Sequence, residues 1–206
     1  MTKQRRAGCL LAALIGCLAL GGCMVHFFLP TQRRPELPVQ QLLNRQLQVF
    51  PAGWSQSKPE VVTDTDFTWA NWAVAATYRY KDGLHFATEE IHVFGNPFAA
   101  QIISSPSPAS TGATKGYTPQ GWTYRPLHAD RFEFGCTGDN KAFPEGCGFI
   151  IRYSEYVIVF STPVNGYMTL QDLTRVLDVI DREMDQHLQS SSLQQGTRLI
   201  PTALDQ

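Results

Sequence analysis

The sequence lacks every short motif that would assign a catalytic mechanism. It has no Gly-x-Ser-x-Gly nucleophile turn, no His-Glu-x-x-His zinc motif and no glycine-rich phosphate loop with the correct spacing. It also has no Cys-x-x-Cys pair and no run of basic residues interleaved with aromatic ones. These absences remove the usual signatures of hydrolases, metalloproteases, nucleotide-binding enzymes, thiol oxidoreductases and nucleic-acid-binding proteins.

Acidic residues are absent from the first 30 positions. All 18 Asp and Glu follow this segment, whereas Lys3, Arg5 and Arg6 precede an uncharged apolar run over residues 9–20. A basic start followed by a hydrophobic stretch is the layout of an export signal. We therefore predict that residues 1–30 bring the chain to a membrane. The basic start stays on the cytoplasmic side, and the rest of the chain lies outside the cytoplasm.

The apolar run ends in a second targeting signal, Leu-Gly-Gly-Cys at residues 20–23. This tetrapeptide resembles the lipobox of bacterial lipoproteins, and the resemblance covers the signal segment only. It implies cleavage before Cys23 and attachment of diacylglycerol to its thiol. Without cleavage, residues 7–29 are long and apolar enough to span a bilayer as a transmembrane anchor. Both anchors remain open, as does release of a secreted protein.

Length and composition predict one exported domain. We expect a proline-containing linker at residues 31–38, a single domain at 39–188 and a flexible Ser/Gln-rich tail at 189–206. Because three of the 17 basic residues lie in the predicted anchor and all 18 acidic residues follow it, the exported part is mildly acidic, which argues against nucleic acid as a partner. The expected partners are the membrane, through the anchor, and an unidentified ligand or envelope protein.

Only two of the five cysteines lie beyond the anchor. Cys136 and Cys147 flank a short segment rich in turn-forming residues, and an even pair in an exported domain most simply forms a disulfide. Two thiols with no histidine nearby are too few for a structural zinc site. We therefore predict a disulfide. In the chain-entropy model, closing a loop of this length stabilises the folded state by about 3 kcal/mol.

Hydrophobic periodicity predicts an α+β fold. Helical spacing of apolar residues predicts a short first helix over 39–50 and a long C-terminal helix over 170–188 that starts with a capping box. Period-two alternation predicts strands, and so do continuous apolar runs at 148–153 and 156–161, which we expect to be buried on both faces. The predicted strands are 61–63 (weak), 69–80, 86–94, 122–127, 131–136, 148–153 and 156–161. We expect an antiparallel sheet of about five to seven strands, with the C-terminal helix packed on one face.

A further short helix is predicted after Asn96. Asn96 has the side chain of an N-cap, and Pro97 suits the first helical position. The side of this helix expected to be buried consists of Phe98, Ala99, Ile102 and Ile103.

Four polar residues over positions 85–92 are the nearest approach to a metal-binding cluster. On a strand, His85 and Glu89 lie on one side and Glu90 and His92 on the other. A catalytic zinc ion needs three ligands that converge on one point, so this parity disfavours a metal site. We interpret the segment as the polar, solvent-facing side of an edge strand.

Aromatic residues supply the candidate ligand pocket. Rings on neighbouring strands can line a pocket for an apolar or sugar-like ligand, although such residues also form ordinary core packing. The candidate pocket residues are Trp72, Tyr78, Tyr80, Trp122, Tyr124 and Tyr153.

Taken together, these features favour a membrane-anchored extracytoplasmic binding or sensor-like domain that is not an enzyme. A structural or assembly factor of an envelope complex is the first alternative. The second is a hydrolase or metal enzyme built from scattered side chains, which would be His85, Glu90, His92 and His128. The sequence indicates no catalytic residue and no cofactor.

Overall fold

Seven β-strands form one antiparallel sheet in the part of the chain that the computed structural model describes, residues 36–62, 70–103, 116–138, 145–164 and 166–197. In chain order they are β1 (Trp54–Gln56), β2 (Glu60–Val61), β3 (Trp72–Tyr80), β4 (Phe86–Val93), β5 (Arg131–Thr137), β6 (Gly146–Tyr153) and β7 (Tyr156–Pro163). Three helices accompany them in these ranges, α1 (Val39–Leu47), α2 (Pro97–Ile103) and α3 (Leu170–Thr197). The predicted α+β class, with a long C-terminal and a short N-terminal helix, is confirmed.

The predicted anchor at residues 1–30, with its lipobox-like segment and Cys23, lies outside the described residues. The same holds for most of the linker and for the last residues of the predicted tail, 198–206. Within the described ranges, no helix combines the length and the apolar character that crossing a bilayer requires.

The order of strands across the sheet is β1-β3-β4-β7-β6-β5, and β2 pairs with β3 beside β1. The predicted hairpin of β6 and β7 is present and turns at Ser154 and Glu155, where Ser154 adopts a positive φ of 57°. Its strands are buried on both faces, as their continuous apolar runs predicted. Both sides of the sheet centre therefore carry a covering layer.

Helix α3 covers one face of the sheet. Its predicted cap is confirmed, because the Thr169 amide donates to the Asp172 carboxylate and the Asp172 amide donates to the Thr169 hydroxyl. The apolar stripe of the helix is fully buried at Leu173, Leu177 and Ile180. Helix α1 packs beside α3 over the same core.

Helix α2 covers part of the opposite face. The Asn96 side chain accepts from the Ala99 amide at 2.8 Å, which confirms the predicted cap. The predicted buried side is only partly right. Ala99 is buried as predicted, but Phe98 and Ile102 are 45% and 47% exposed. Ala99 and Ala100 pack towards the sheet because their small side chains allow the helix to approach it closely.

Three local predictions are wrong. The segment 86–94 is not an edge strand, because β4 lies between β3 and β7. The segment 122–127 forms no strand, since the amides of Leu127 and His128 donate to the Asp181 carboxylate of α3 instead of to a neighbouring strand. Helix α3 does not end near residue 188 but continues to Thr197 through the Ser/Gln-rich stretch.

The predicted disulfide between Cys136 and Cys147 is present. The two cysteines are register partners on β5 and β6, and both are buried. On the outer side of β5, the backbone of Cys136 also exchanges two hydrogen bonds with Tyr117. The disulfide therefore fixes the register of the last strand pair at one end of the sheet.

Candidate functional site

A cavity of about 390 Å³ lies at one end of the sheet. Four neighbouring strands meet there, since β4 and β6 begin and β5 and β7 end at this side. The residues that line it include Leu84, His85, Phe86, Thr88, Thr137 and Ser161. Its volume falls in the usual range of small-molecule sites.

The cavity is built mainly on the sheet face opposite α3. Thr88 and Ser161 are register partners on β4 and β7, and both are exposed. Their chain neighbours Ala87 and Phe160 are buried in the core beneath α3. Because side chains alternate along a strand, Thr88 and Ser161 point away from that core.

His85 is held in a fixed orientation at the cavity wall. Its Nδ1 atom lies 2.8 Å from the Asp82 carboxylate, and its ring packs on Tyr167 with a centroid separation of 4.1 Å. Burial alone would raise the pKa of Asp82, but hydrogen bonds from the Leu84 amide and from the His85 side chain and amide hold it below its ordinary value. Because Asp82 occupies Nδ1, the Nε2 atom of His85 is the ring nitrogen left for a ligand.

The lining combines hydroxyl groups with apolar surface. In the described part of the chain, the hydroxyls of Thr88 and Ser161 have no hydrogen-bond partner, whereas the Thr137 hydroxyl donates to the Gly146 carbonyl oxygen. Leu84 and Phe86 are 79% and 53% exposed beside them. Such a surface can donate and accept hydrogen bonds while packing against a carbon skeleton.

The charge of the cavity is slightly negative. Glu145 is its one carboxylate, and no lysine or arginine lies among the described lining residues. An anionic ligand would therefore meet no compensating positive side chain, so this lining disfavours an anion.

A second, smaller groove of about 300 Å³ runs between α1 and α3. Arg45 of α1 and Glu183 of α3 form an ion pair along it. His187 also lines the groove, and its Nε2 lies 3.1 Å from the Tyr156 hydroxyl. The Arg45–Glu183 pair therefore joins the two helices, and His187 joins α3 to Tyr156 of β7.

The aromatic residues predicted to line a pocket are spread over the domain. Tyr78 and Tyr153 are fully buried, and Trp72, at the start of β3, is 39% exposed. Tyr80 packs between the rings of Trp54 and Tyr167.

The other two predicted residues, Trp122 and Tyr124, pack on β5. Trp122 stacks on Phe134, with ring centroids 4.4 Å apart, and Tyr124 lies edge-on to Phe132. None of the six lines either of the two cavities described above.

The polar residues of the possible metal cluster are also separated. Glu89 points into the core beneath α3, whereas His92 is buried on the opposite face, 3.1 Å from Glu90. His85 is paired with Asp82. Within the described ranges, no three His, Cys, Asp or Glu side chains come together as a metal site would require.

His128 lies elsewhere, on the loop that packs against α3. Its Nδ1 atom is 3.5 Å from Asp185, and its amide donates to Asp181. The structure therefore does not bring His128 together with His85, Glu90 and His92 in one site.

Sequence reasoning missed the residues that form the cavity. Thr88, Thr137 and Ser161 are ordinary polar residues at strand ends, and nothing in their local pattern distinguishes them. They meet because the sheet order places β4 beside β7 and β5 beside β6. This order depends on contacts between residues far apart in the sequence, so local sequence patterns do not predict it. The one available signal was the segment after the turn at residues 81–83, where His85 follows Asp82 by three positions.

Among solved structures, this chain is similar to the crystal structure of the extracellular domain of PknH from Mycobacterium tuberculosis. The two share 12% sequence identity with a TM-score of 0.44, and the match covers 75% of this chain and 98% of that domain. A comparison with protein-family models finds no match. A comparison with curated proteins finds none either. At this identity and TM-score, the likeness assigns neither a family nor an activity to the chain.

Proposed function

We propose that the chain is a membrane-anchored extracytoplasmic domain that binds a small, neutral, hydroxyl-bearing ligand without catalysing a reaction. The observation that carries this proposal is the cavity where four strand ends meet, with an oriented imidazole, free hydroxyls and apolar side chains around one space. Saccharides and polyols have the complementary chemistry, since they present many hydroxyl groups and an apolar carbon face.

The location outside the cytoplasm is supported by two independent features. The basic start and apolar run at residues 1–30 have the layout of an export signal. The disulfide between Cys136 and Cys147 belongs to an oxidising compartment. The anchor itself is either diacylglycerol on Cys23 or an uncleaved transmembrane segment, and both keep the domain at the membrane surface.

Binding fits the cavity better than hydrolysis does. Asp82 orients His85 as a carboxylate orients a catalytic base, so the imidazole alone would suit either role. An activated nucleophile would also need a hydroxyl hydrogen-bonded to the imidazole. Among the described residues, neither Thr88 nor Ser161 makes that contact, so their hydroxyls remain available to a ligand.

We expect Ser161→Arg to abolish ligand binding at the cavity. Arginine at this exposed strand position would fill the space with a long charged side chain, so affinity should fall at least about tenfold, the equivalent of 1.4 kcal/mol. The measurement is saturation-transfer NMR on the full chain in detergent micelles, with maltose, cellobiose and N-acetylglucosamine as probes. At least one probe should give signals with the wild-type protein.

The matched control is Gln171→Arg, which adds the same charge at an exposed position on α3. This variant should bind the probe as the wild type does. Absence of signals from all three saccharides would contradict the proposed ligand class. Equal binding by the wild type and by Ser161→Arg would show that the probe binds elsewhere, and would overturn the proposed site.

A further inference from the structure

Three polar side chains meet in the core between α1 and the sheet. Gln46 of α1, Tyr78 of β3 and Glu89 of β4 are each at most 1% exposed. Gln46 Nε2 lies 3.0 Å from Glu89 Oε1, and the Tyr78 hydroxyl oxygen lies 2.8 Å from Glu89 Oε2 and 3.0 Å from Gln46 Oε1. The three groups form a closed triangle of contacts that joins α1 to two neighbouring strands.

Each side of this triangle needs one proton. The Gln46 amide supplies one, and the single hydroxyl proton of Tyr78 supplies a second. A carboxylate has no proton, so with ionised Glu89 one of the three contacts would join two oxygens with no hydrogen between them. Exchanging the amide nitrogen and oxygen of Gln46 moves the deficient contact but does not remove it. A protonated Glu89 supplies the third proton and closes the triangle.

The surroundings of Glu89 offer an ionised carboxylate no compensating charge. Its register partner on β7 is Phe160, and α3 turns apolar residues towards this core. Arg45 of α1 is paired with Glu183 of α3 at the helix surface. Among the described residues, Tyr78 is the titratable group in contact with Glu89. Burial raises the pKa of Glu89 to about 7, and the hydrogen bonds from Tyr78 and Gln46 offset part of this rise.

We propose that Glu89 is protonated in the folded protein and that its ionisation releases α1 from the sheet. Release of α1 withdraws Gln46 and opens the core above Glu89 to water, which can then hydrate the carboxylate. The closed triangle exists only while α1 is docked, so docking and protonation of Glu89 favour each other.

Helix α1 can leave the domain without disrupting the sheet. It precedes every strand in the chain, so its departure breaks no strand pair of the sheet. It is held by the Gln46 contacts, by the Arg45–Glu183 ion pair and by the apolar residues Val39, Leu42 and Leu43. It also directly follows the linker from the predicted anchor, so the release would change how the domain is attached to the membrane.

The test is hydrogen–deuterium exchange of the amides at residues 39–47, in the full chain in detergent micelles. After correction for the intrinsic effect of pH on exchange, the opening constant of α1 should be roughly 20-fold larger at pH 8 than at pH 5.5. In Glu89→Gln, the triangle stays closed by the added amide and nothing ionises, so the opening constant should be equal at both pH values. A wild-type helix whose opening does not change with pH would overturn the proposal.

The control is Glu60→Gln, which removes an exposed carboxylate on β2. This variant should keep the pH dependence of the wild type. Infrared spectroscopy of the wild-type protein gives a test that needs no variant to fold. At pH 6, exposed carboxyls are ionised, so a remaining protonated-acid carbonyl band is expected from Glu89. Its absence at pH 6 would contradict the proposal.

Discussion

Replacing Asp181 with alanine is expected to lower the free energy of unfolding by about 4 kcal/mol. The buried Asp181 carboxylate accepts hydrogen bonds from the Tyr153 hydroxyl at 2.8 Å and from the amides of Leu127 and His128. Alanine removes these charge-assisted bonds and leaves the buried Tyr153 hydroxyl without its acceptor. Urea unfolding followed by tryptophan fluorescence measures the effect, and it should also report the loosening of Trp122 on the same loop.

The control for this change is Asp178→Ala, one turn earlier on α3 and exposed. Asp178 accepts a hydrogen bond from the Tyr124 side chain of the same loop, but it lies at the surface, so the loss of stability should be well below that of Asp181→Ala. Equal losses in the two variants would show that the buried hydrogen bonds to Asp181 stabilise the loop no more than the surface contact of Tyr124 with Asp178 does.

Replacing Glu89 with glutamine is expected to make the protein more stable than wild type at pH 8, by about 3 kcal/mol. In the wild type the pKa of Glu89 rises from 4.5 to about 7 on folding, so the folded state binds the extra proton. The stability that this proton brings is complete below about pH 4.5 and is lost as pH rises through about 7. Glutamine cannot ionise, so the two proteins should differ little at pH 4 and most at pH 8.

Urea unfolding at a series of pH values measures this difference, with Glu60→Gln as the comparison. Glu60 is exposed on β2, and its replacement should leave the curve parallel to that of the wild type. If Glu89→Gln and the wild type lose stability in parallel from pH 4 to pH 8, Glu89 is not the group that binds the proton.

Most of the helices and strands follow from local patterns in the sequence. The alternation in β3, the apolar run of β6 and β7, and the helical stripe of α3 each depend on neighbouring residues, so periodicity predicts them. The caps at Asn96 and Thr169 likewise depend on contacts three residues away. The disulfide could be predicted because Cys136 and Cys147 are the two cysteines beyond the anchor.

The wrong predictions concern segments whose structure is determined by contacts with residues far away in the sequence. Glu89, Glu90 and His92 were predicted to face solvent on an edge strand, because they are polar and closely spaced. The sheet order instead places β4 between β3 and β7, and Glu89 is buried with a partner from α1. Residues 122–127 have the composition of a strand, but the Asp181 carboxylate of the distant helix α3 accepts hydrogen bonds from the amides of Leu127 and His128.

The cavity could not be predicted for the same reason. Its hydroxyl residues come from three strands, β4, β5 and β7, whose ends are brought together only by the sheet topology. The aromatic residues, which were the more visible candidates, carry large apolar surface, and the structure uses Tyr78 and Tyr153 inside the core. Side-chain type therefore predicted which residues form the core, but it did not predict which residues line the cavity.

The most direct test of an anchored, exported domain is alkylation of the native protein's thiols after cell fractionation. We predict that the protein is found in the membrane fraction and that Cys136 and Cys147 react with an alkylating reagent only after reduction. In the same mass spectra, Cys23 should either carry a diacylglycerol group at a new N-terminus or lie within an uncleaved apolar segment. A protein found in the cytosolic fraction with both Cys136 and Cys147 freely alkylated would contradict the account.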